Sequence, residues 1–142
     1  MKALTTQINI RSTPEQIWRV LTDAPGYPTW DATYTHIEGR IAPGEKIVLH
    51  HASLEPKKLA MTVTVFEPYE RLVWSGGGMP PAMFKGERMV TLAPQDDGLV
   101  AVSVALTFSG AMAPMIVQAL PDLQPHLDRF AAALRQHCEA LA

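Results

Sequence analysis

The sequence predicts an α+β fold in which a curved, seven-stranded antiparallel sheet wraps a long C-terminal helix, with one or two short helices after the first strand. Three observations carry this expectation. A compact helix signal follows the first strand-like segment. Residues 33 to 108 then read as strand after strand, and from residue 112 the apolar period changes from two to between three and four. One amphipathic helix must bury its stripe against one face of the sheet. Seven strands closed around a single helix leave room the helix cannot fill, so an internal cavity is expected.

Each element has a local reason. Leu4, Ile8 and Ile10 mark the first strand over 3–10. In Ser12-Thr13-Pro14-Glu15-Gln16, Thr13 can cap orphan N–H groups, Pro14 suits the first helical position and Gln16 can close a capping box. Ile17, Trp18, Val20 and Leu21 follow at helical spacing, and Asp23-Ala24-Pro25-Gly26 stops the helix. The bend Tyr27-Pro28-Thr29-Trp30-Asp31 has room for one further turn.

Strands are expected over 33–39, 45–52, 59–66, 69–75, 83–92 and 99–108. The longest alternation sets Val100, Val102, Val104, Leu106 and Phe108 against Ala101, Ser103, Ala105 and Thr107. Leu123, Leu127, Phe130, Leu134, Cys138 and Leu141 form the stripe of the final helix. Pro121 and Pro125 predict either a kink near its start or a short helix over 112–120 preceding the main one.

The chain has 142 residues, 47% hydrophobic and 18% charged, enough to bury the core of one domain over 1–142. A net charge of −2 and scattered basic residues give no electrostatic case for nucleic acid. No run approaches the roughly 18 apolar residues of a membrane span, and the N-terminal stretch lacks a signal's apolar run. A soluble cytoplasmic protein, monomer or homodimer, is expected. Cys138 is the sole cysteine, so no intramolecular disulfide or cysteine-based cluster can form. No metal is expected either, because no two ligands share a recognised spacing; His126 and His137 are eleven apart.

The order of elements and several stretches resemble the START-like, or SRPBCC, superfamily, the helix-grip fold shared with polyketide cyclases and the birch-pollen allergen family. The stretches are STPEQIWRVLTD, YPTWD, Ile37-Glu38-Gly39, FEPYERLVW and KGER leading into a strand. The resemblance implies the fold and a cavity, but no cofactor and no particular activity, since the superfamily includes binders, transporters, cyclases and chaperone activators. The chain departs from the pattern of its bacterial relatives at two places. Arg88 stands where they often carry a histidine, and Leu106 where they often carry a glutamate. One arginine beside an apolar neighbour replaces a polar pair.

Candidate site residues follow from strand phase. Phe84, Gly86, Arg88, Val90 and Leu92 share a face whose apolar members turn it inward. An inward arginine is costly unless paired or solvated, and it could grip a carboxylate or enolate. Of the neighbours His50 and His51, Ile47 and Leu49 make His51 the inward one and a candidate general base. Asp23 and Asp31 read as a helix stop and a turn former.

Gly76-Gly77-Gly78 is followed by Met-Pro-Pro and a strand rather than a helix, unlike a phosphate loop. It reads as a plain hairpin connection or a gate at the cavity mouth, with Met79 and Met83 as adaptable apolar contacts. The expected wall comprises Trp30, Tyr34, His51, Met61, Trp74, Met79, Phe84, Arg88, Leu106 and Met115. Binding of a hydrophobic or aromatic small molecule leads. A polyketide-type cyclase or dehydratase using Arg88 with His51 or a tyrosine is the enzyme alternative, and protein docking through the outer sheet face is the third.

Overall fold

Thr13 ends the first strand's connection by accepting a hydrogen bond from the Gln16 amide at 3.1 Å, which starts α1 (Pro14–Thr22) with proline in the first turn. The computed structural model describes residues 2–54 and 56–141. After α1, a turn of 3₁₀ helix (Ala24–Gly26) leads into the single turn of α2 (Tyr27–Trp30). Ile17, Trp18, Val20 and Leu21 form the buried face of α1, the apolar positions of its sequence.

Seven strands follow the order β1-β7-β6-β5-β4-β3-β2, all neighbours antiparallel. They are β1 (Lys2–Ile10), β2 (Tyr34–Glu38), β3 (Lys46–His51), β4 (Lys58–Glu67), β5 (Arg71–Gly76), β6 (Lys85–Pro94) and β7 (Val100–Ser109). Strands β2 to β7 run as a meander, and β1 closes beside β7. Arg88 and Leu106 are direct cross-strand partners.

Two helices complete the chain: α3 (Ala113–Ala119) and α4 (Gln124–Leu141). Of the two expectations raised by the prolines, a short helix followed by the main one is what forms. Pro121 lies between them, and Pro125 occupies the first turn of α4, where an N–H would have no helical partner. The Asp122 carboxylate accepts from the Gln124 amide at 3.1 Å at this start. Helix α4 packs chiefly on β1, and Leu134 and Cys138 are fully buried in the core with Ile10, Ile17, Leu21 and Val102. Burial pushes the Cys138 thiol up to about 12, with the Glu139 charge adding to it, so the thiol is protonated and unreactive.

Three local expectations are corrected. Leu141 ends the predicted stripe but is exposed, one turn beyond the buried Cys138. Tyr69 does not begin β5; it takes φ 68 in the turn after β4, and the strand starts at Arg71. Met83 does not begin β6, because residues 80–84 close a turn in which the Met83 and Phe84 amides donate to the Pro80 carbonyl at 2.9 and 3.1 Å.

Candidate functional site

Between the sheet's inner face, α3 and the first half of α4 lies a cavity of about 480 Å³. That volume lies within the range of roughly 300–1,000 Å³ usual for small-molecule sites. Tyr34, His51, Met61, Trp74, Met79, Phe84, Arg88 and Leu106, all expected around a ligand, border it. Trp30 and Met115 do not. The single turn of α2 aims Trp30 at α4, with its ring 5.6 Å from Phe130 and 6.0 Å from His137. Helix α3 turns Ile116 to the cavity and leaves Met115 62% exposed.

The glycine stretch forms part of the wall. A Cβ on Gly77 would lie 2.8 Å from the Phe84 ring, and one on Gly76 would lie 2.6 Å from the Ala60 carbonyl. Neither position has room for a side chain. The loop is also pinned: the Ala111 and Met112 amides donate to the Ala82 and Met83 carbonyls at 3.0 and 2.8 Å. It therefore joins the start of α3 to the β5–β6 connection and brings Met79 to the rim.

Arg88 is the chemical centre of the wall. It is 7% exposed, and its guanidinium carbon lies 3.9 Å from the Trp74 ring centroid and 4.4 Å from that of Phe130. This sandwich supplies cation–π attraction in a desolvated place. Its two terminal nitrogens donate to the Tyr34 and Tyr27 hydroxyls, each at 3.4 Å. Among the described residues no ion pair involves Arg88. The guanidinium has five N–H groups and spends two of them on long bonds.

The tyrosines differ in what they have left. Tyr27 donates its own proton to the Leu21 carbonyl at 2.6 Å, so its oxygen is committed on both sides. Tyr34 accepts from Arg88, and among the described residues its proton has no acceptor. Burial raises both phenols above their ordinary value, with the Arg88 charge opposing it, so both stay neutral hydroxyls. Arg88 remains a cation: burial works against its charge, but the Tyr34, Tyr27 and Asp31 oxygens outweigh it and raise its pKa.

Two further groups complete the polar end. His51 Nδ1 lies 2.8 Å from the Pro56 carbonyl, which can only accept, so Nδ1 carries the proton and a neutral ring has its lone pair on Nε2. The His51 ring also stacks on Tyr34, centroids 5.6 Å apart. Asp31 is more than the turn former the sequence suggests. Its Oδ1 accepts from the Thr33 amide at 3.0 Å, but Oδ2 is buried without a partner in a residue only 3% exposed that borders the cavity. Trp74 Nε1 is buried and unpartnered as well.

Sequence reasoning also missed Phe108, Leu123, His126 and Phe130 in the wall. Phe108 extends the alternation of β7, and the helical stripe already held Leu123 and Phe130, so a signal existed for all but His126. The large apolar side chains that remain exposed are Tyr69, Met79, Met83, Met115 and Leu141, none of them within a strand. No metal is expected from the sequence. That expectation rests on spacing along the chain, whereas the β2–β3 register sets His36 opposite His50 with Glu38 beside them.

The fold and cavity define a START-like protein of the helix-grip type. The chain belongs to the family described as "Polyketide cyclase / dehydrase and lipid transport", whose model matches residues 1–139. It is similar in structure to a norcoclaurine synthase point mutant of Thalictrum flavum in complex with a transition-state analogue, with TM-score 0.76 and 14% identity over 99% of this chain and 95% of that one. A protein of Mesorhizobium loti aligns with TM-score 0.73 and 16% identity over 99% of both chains. The Aha1 dimer of Colwellia psychrerythraea aligns with TM-score 0.68 and 20% identity over 99% of this chain and 96% of that one. At these identities the likeness speaks for the fold. Comparison with curated proteins finds no match. Among the described residues no helix is long and apolar enough to cross a membrane.

Proposed function

We propose that this chain binds an apolar, aromatic-bearing small molecule in the cavity, with the ligand's oxygen-bearing end at Arg88 and Tyr34. The observation that carries this reading is the buried Arg88 cation, which borders the cavity without a carboxylate partner. The neighbouring oxygens hold the charge but use only two of its five N–H groups, and an acceptor brought by a ligand would satisfy more of them. A carbonyl, carboxylate or enolate oxygen would take the unused N–H groups of Arg88 and the free Tyr34 proton. A hydroxyl on the same ligand would meet Asp31 Oδ2. Met61, Phe84, Leu106 and Leu127 suit an apolar body.

Native mass spectrometry of freshly purified protein, followed by titration with a panel of aromatic ketones and acids, tests this. A single small organic adduct, or saturable 1:1 binding weakened in Arg88→Met, is expected. Neither adduct nor binding across the panel would remove the reading.

A second reading, proton transfer on the bound ligand in the manner of a cyclase or dehydratase, is favoured by the unpartnered Asp31 Oδ2 and by His51 with its lone pair on Nε2. There Arg88 would stabilise the enolate while His51 or Asp31 takes a proton. Deuterium exchange at the α-carbon of a bound ketone, lost in whichever of His51→Ala and Asp31→Asn removes the base, separates turnover from binding alone.

A further inference from the structure

On the opposite face of the same sheet edge, three ligating side chains converge. His36 and His50 are cross-strand partners on β2 and β3, and Glu38 follows two residues after His36 on the same face. The two imidazoles stack with centroids 3.7 Å apart. Glu38 Oε1 lies 2.6 Å from His50 Nε2 and 3.7 Å from His36 Nε2, so both rings aim the same nitrogen at one carboxylate oxygen. The donor atoms of all three lie within 4.8 Å of one another.

A β-bulge produces this arrangement. The β2 register shifts between Tyr34 and His36, so two residues that would share a face in a regular strand are turned to opposite sides. Tyr34 goes inward and pairs with His51; His36 goes outward and pairs with His50. A hydrogen-bonded surface pair explains His50 with Glu38, but leaves a second imidazole without a role.

We propose that His36, Glu38 and His50 form a site for a divalent transition metal of the zinc, nickel or copper type, clipping edge strand β2 to β3. Two imidazoles and one carboxylate favour these ions over calcium or magnesium, which prefer all-oxygen sites. With metal–ligand bonds of about 2.0–2.1 Å, tetrahedral donors lie about 3.3 Å apart. The spacings of 2.6 and 3.7 Å from the carboxylate oxygen bracket that value, so each of those two pairs needs an adjustment below an ångström. The stacked rings must splay for their lone pairs to converge, and His36, 54% exposed, is free to turn. The metal takes the place of the proton shared by His50 and Glu38, leaving the fourth position for water. The bound ion ties the outermost strand of the sheet to its neighbour, next to the bulge that holds Tyr34 in the cavity.

Titration of the metal-free full chain with ZnCl₂ under native mass spectrometry, and with CoCl₂ by visible absorption, tests the site. One equivalent of zinc and intense tetrahedral cobalt bands are expected. His36→Ala should lower zinc affinity at least about tenfold, the lower bound for losing even an outer partner of a metal ligand. Its thermal midpoint in EDTA should match the parent's, and His137→Ala should bind zinc as the parent does. Absence of bound metal, equal affinity in His36→Ala, or loss in His137→Ala instead would each overturn the assignment. Should His50→Ala fail to fold, the exposed His36 and Glu38→Gln variants still decide the question.

Discussion

The same elements build both a packed end and a hollow end, and the contrast between them explains the site. Strand β6 contributes Val90 and Leu92 to the solid core, but Phe84, Gly86 and Arg88 to the cavity. Strand β7 does likewise, with Val102 and Val104 packed and Leu106 and Phe108 lining the hollow. Helix α4 gives Leu134 and Cys138 to the core and His126 to the cavity wall, where Leu123 joins it from just before the helix. At the packed end Val90, Leu92, Val102 and Val104 fill one core with Leu134 and Cys138. At the hollow end Gly76 and Gly86 withhold side chains from two neighbouring strands, where they pair in register. The hollow is therefore made by omission within a shared scaffold, and Arg88 and Phe130 stand at the boundary.

The largest expected effect lies at the packed end. Leu134→Ala, at a fully buried position, should destabilise the fold by about 2–5 kcal/mol in urea denaturation. A loss below about 1 kcal/mol would mean that this end tolerates space as the other does. At the boundary, Arg88→Met should cost no more than about 2 kcal/mol of stability, since it gives up the stacking on Trp74 and Phe130 but exchanges a buried charge for an apolar chain. The same change should remove about 1.5–3 kcal/mol of ligand affinity, the worth of hydrogen bonds from a charged group. Calorimetric titration against the best ligand checks it, and severe unfolding would show that Arg88 is structural instead.

Smaller effects sharpen the contrast. Tyr34→Phe should cost about 0.5–1.5 kcal/mol of affinity, one neutral hydrogen bond, with little change in stability. Met115→Ala should stay within about 0.5 kcal/mol in both measurements, because the side chain faces solvent away from the cavity.

Much of this contrast is legible in the sequence, and the missing parts have physical reasons. Period-two alternation locates the strands and turns Arg88 and His51 inward without any knowledge of topology. The short helices resist the same treatment: one turn of α2 and two of α3 are too brief for the apolar period to set a phase. Hence Trp30 and Met115 were expected in a wall they do not reach. Asp31 reads as a turn former because half of its carboxylate is one; the orphaned Oδ2 emerges only when the fold buries it. The apolar stripe read from the sequence names Leu123, Phe130 and Leu134 alike, yet nothing in a stripe tells which members meet the sheet and which meet empty space. His36 and His50 are fourteen residues apart, and only strand register with a bulge brings them together.

The central claim is that the hollow end is an apolar binding site, and one titration tests it most directly. A Cβ on Gly86 would have as its nearest neighbours the Gly76 carbonyl oxygen at 3.5 Å and the Phe108 ring at 3.6 Å, both ordinary contacts, so Gly86→Leu can start its side chain there and direct it into the hollow. Fluorescence titration with 1-anilinonaphthalene-8-sulfonate should show saturable 1:1 binding to the parent chain and none to an equally folded Gly86→Leu variant. Equal binding to both, or no saturable binding to either, would contradict the claim.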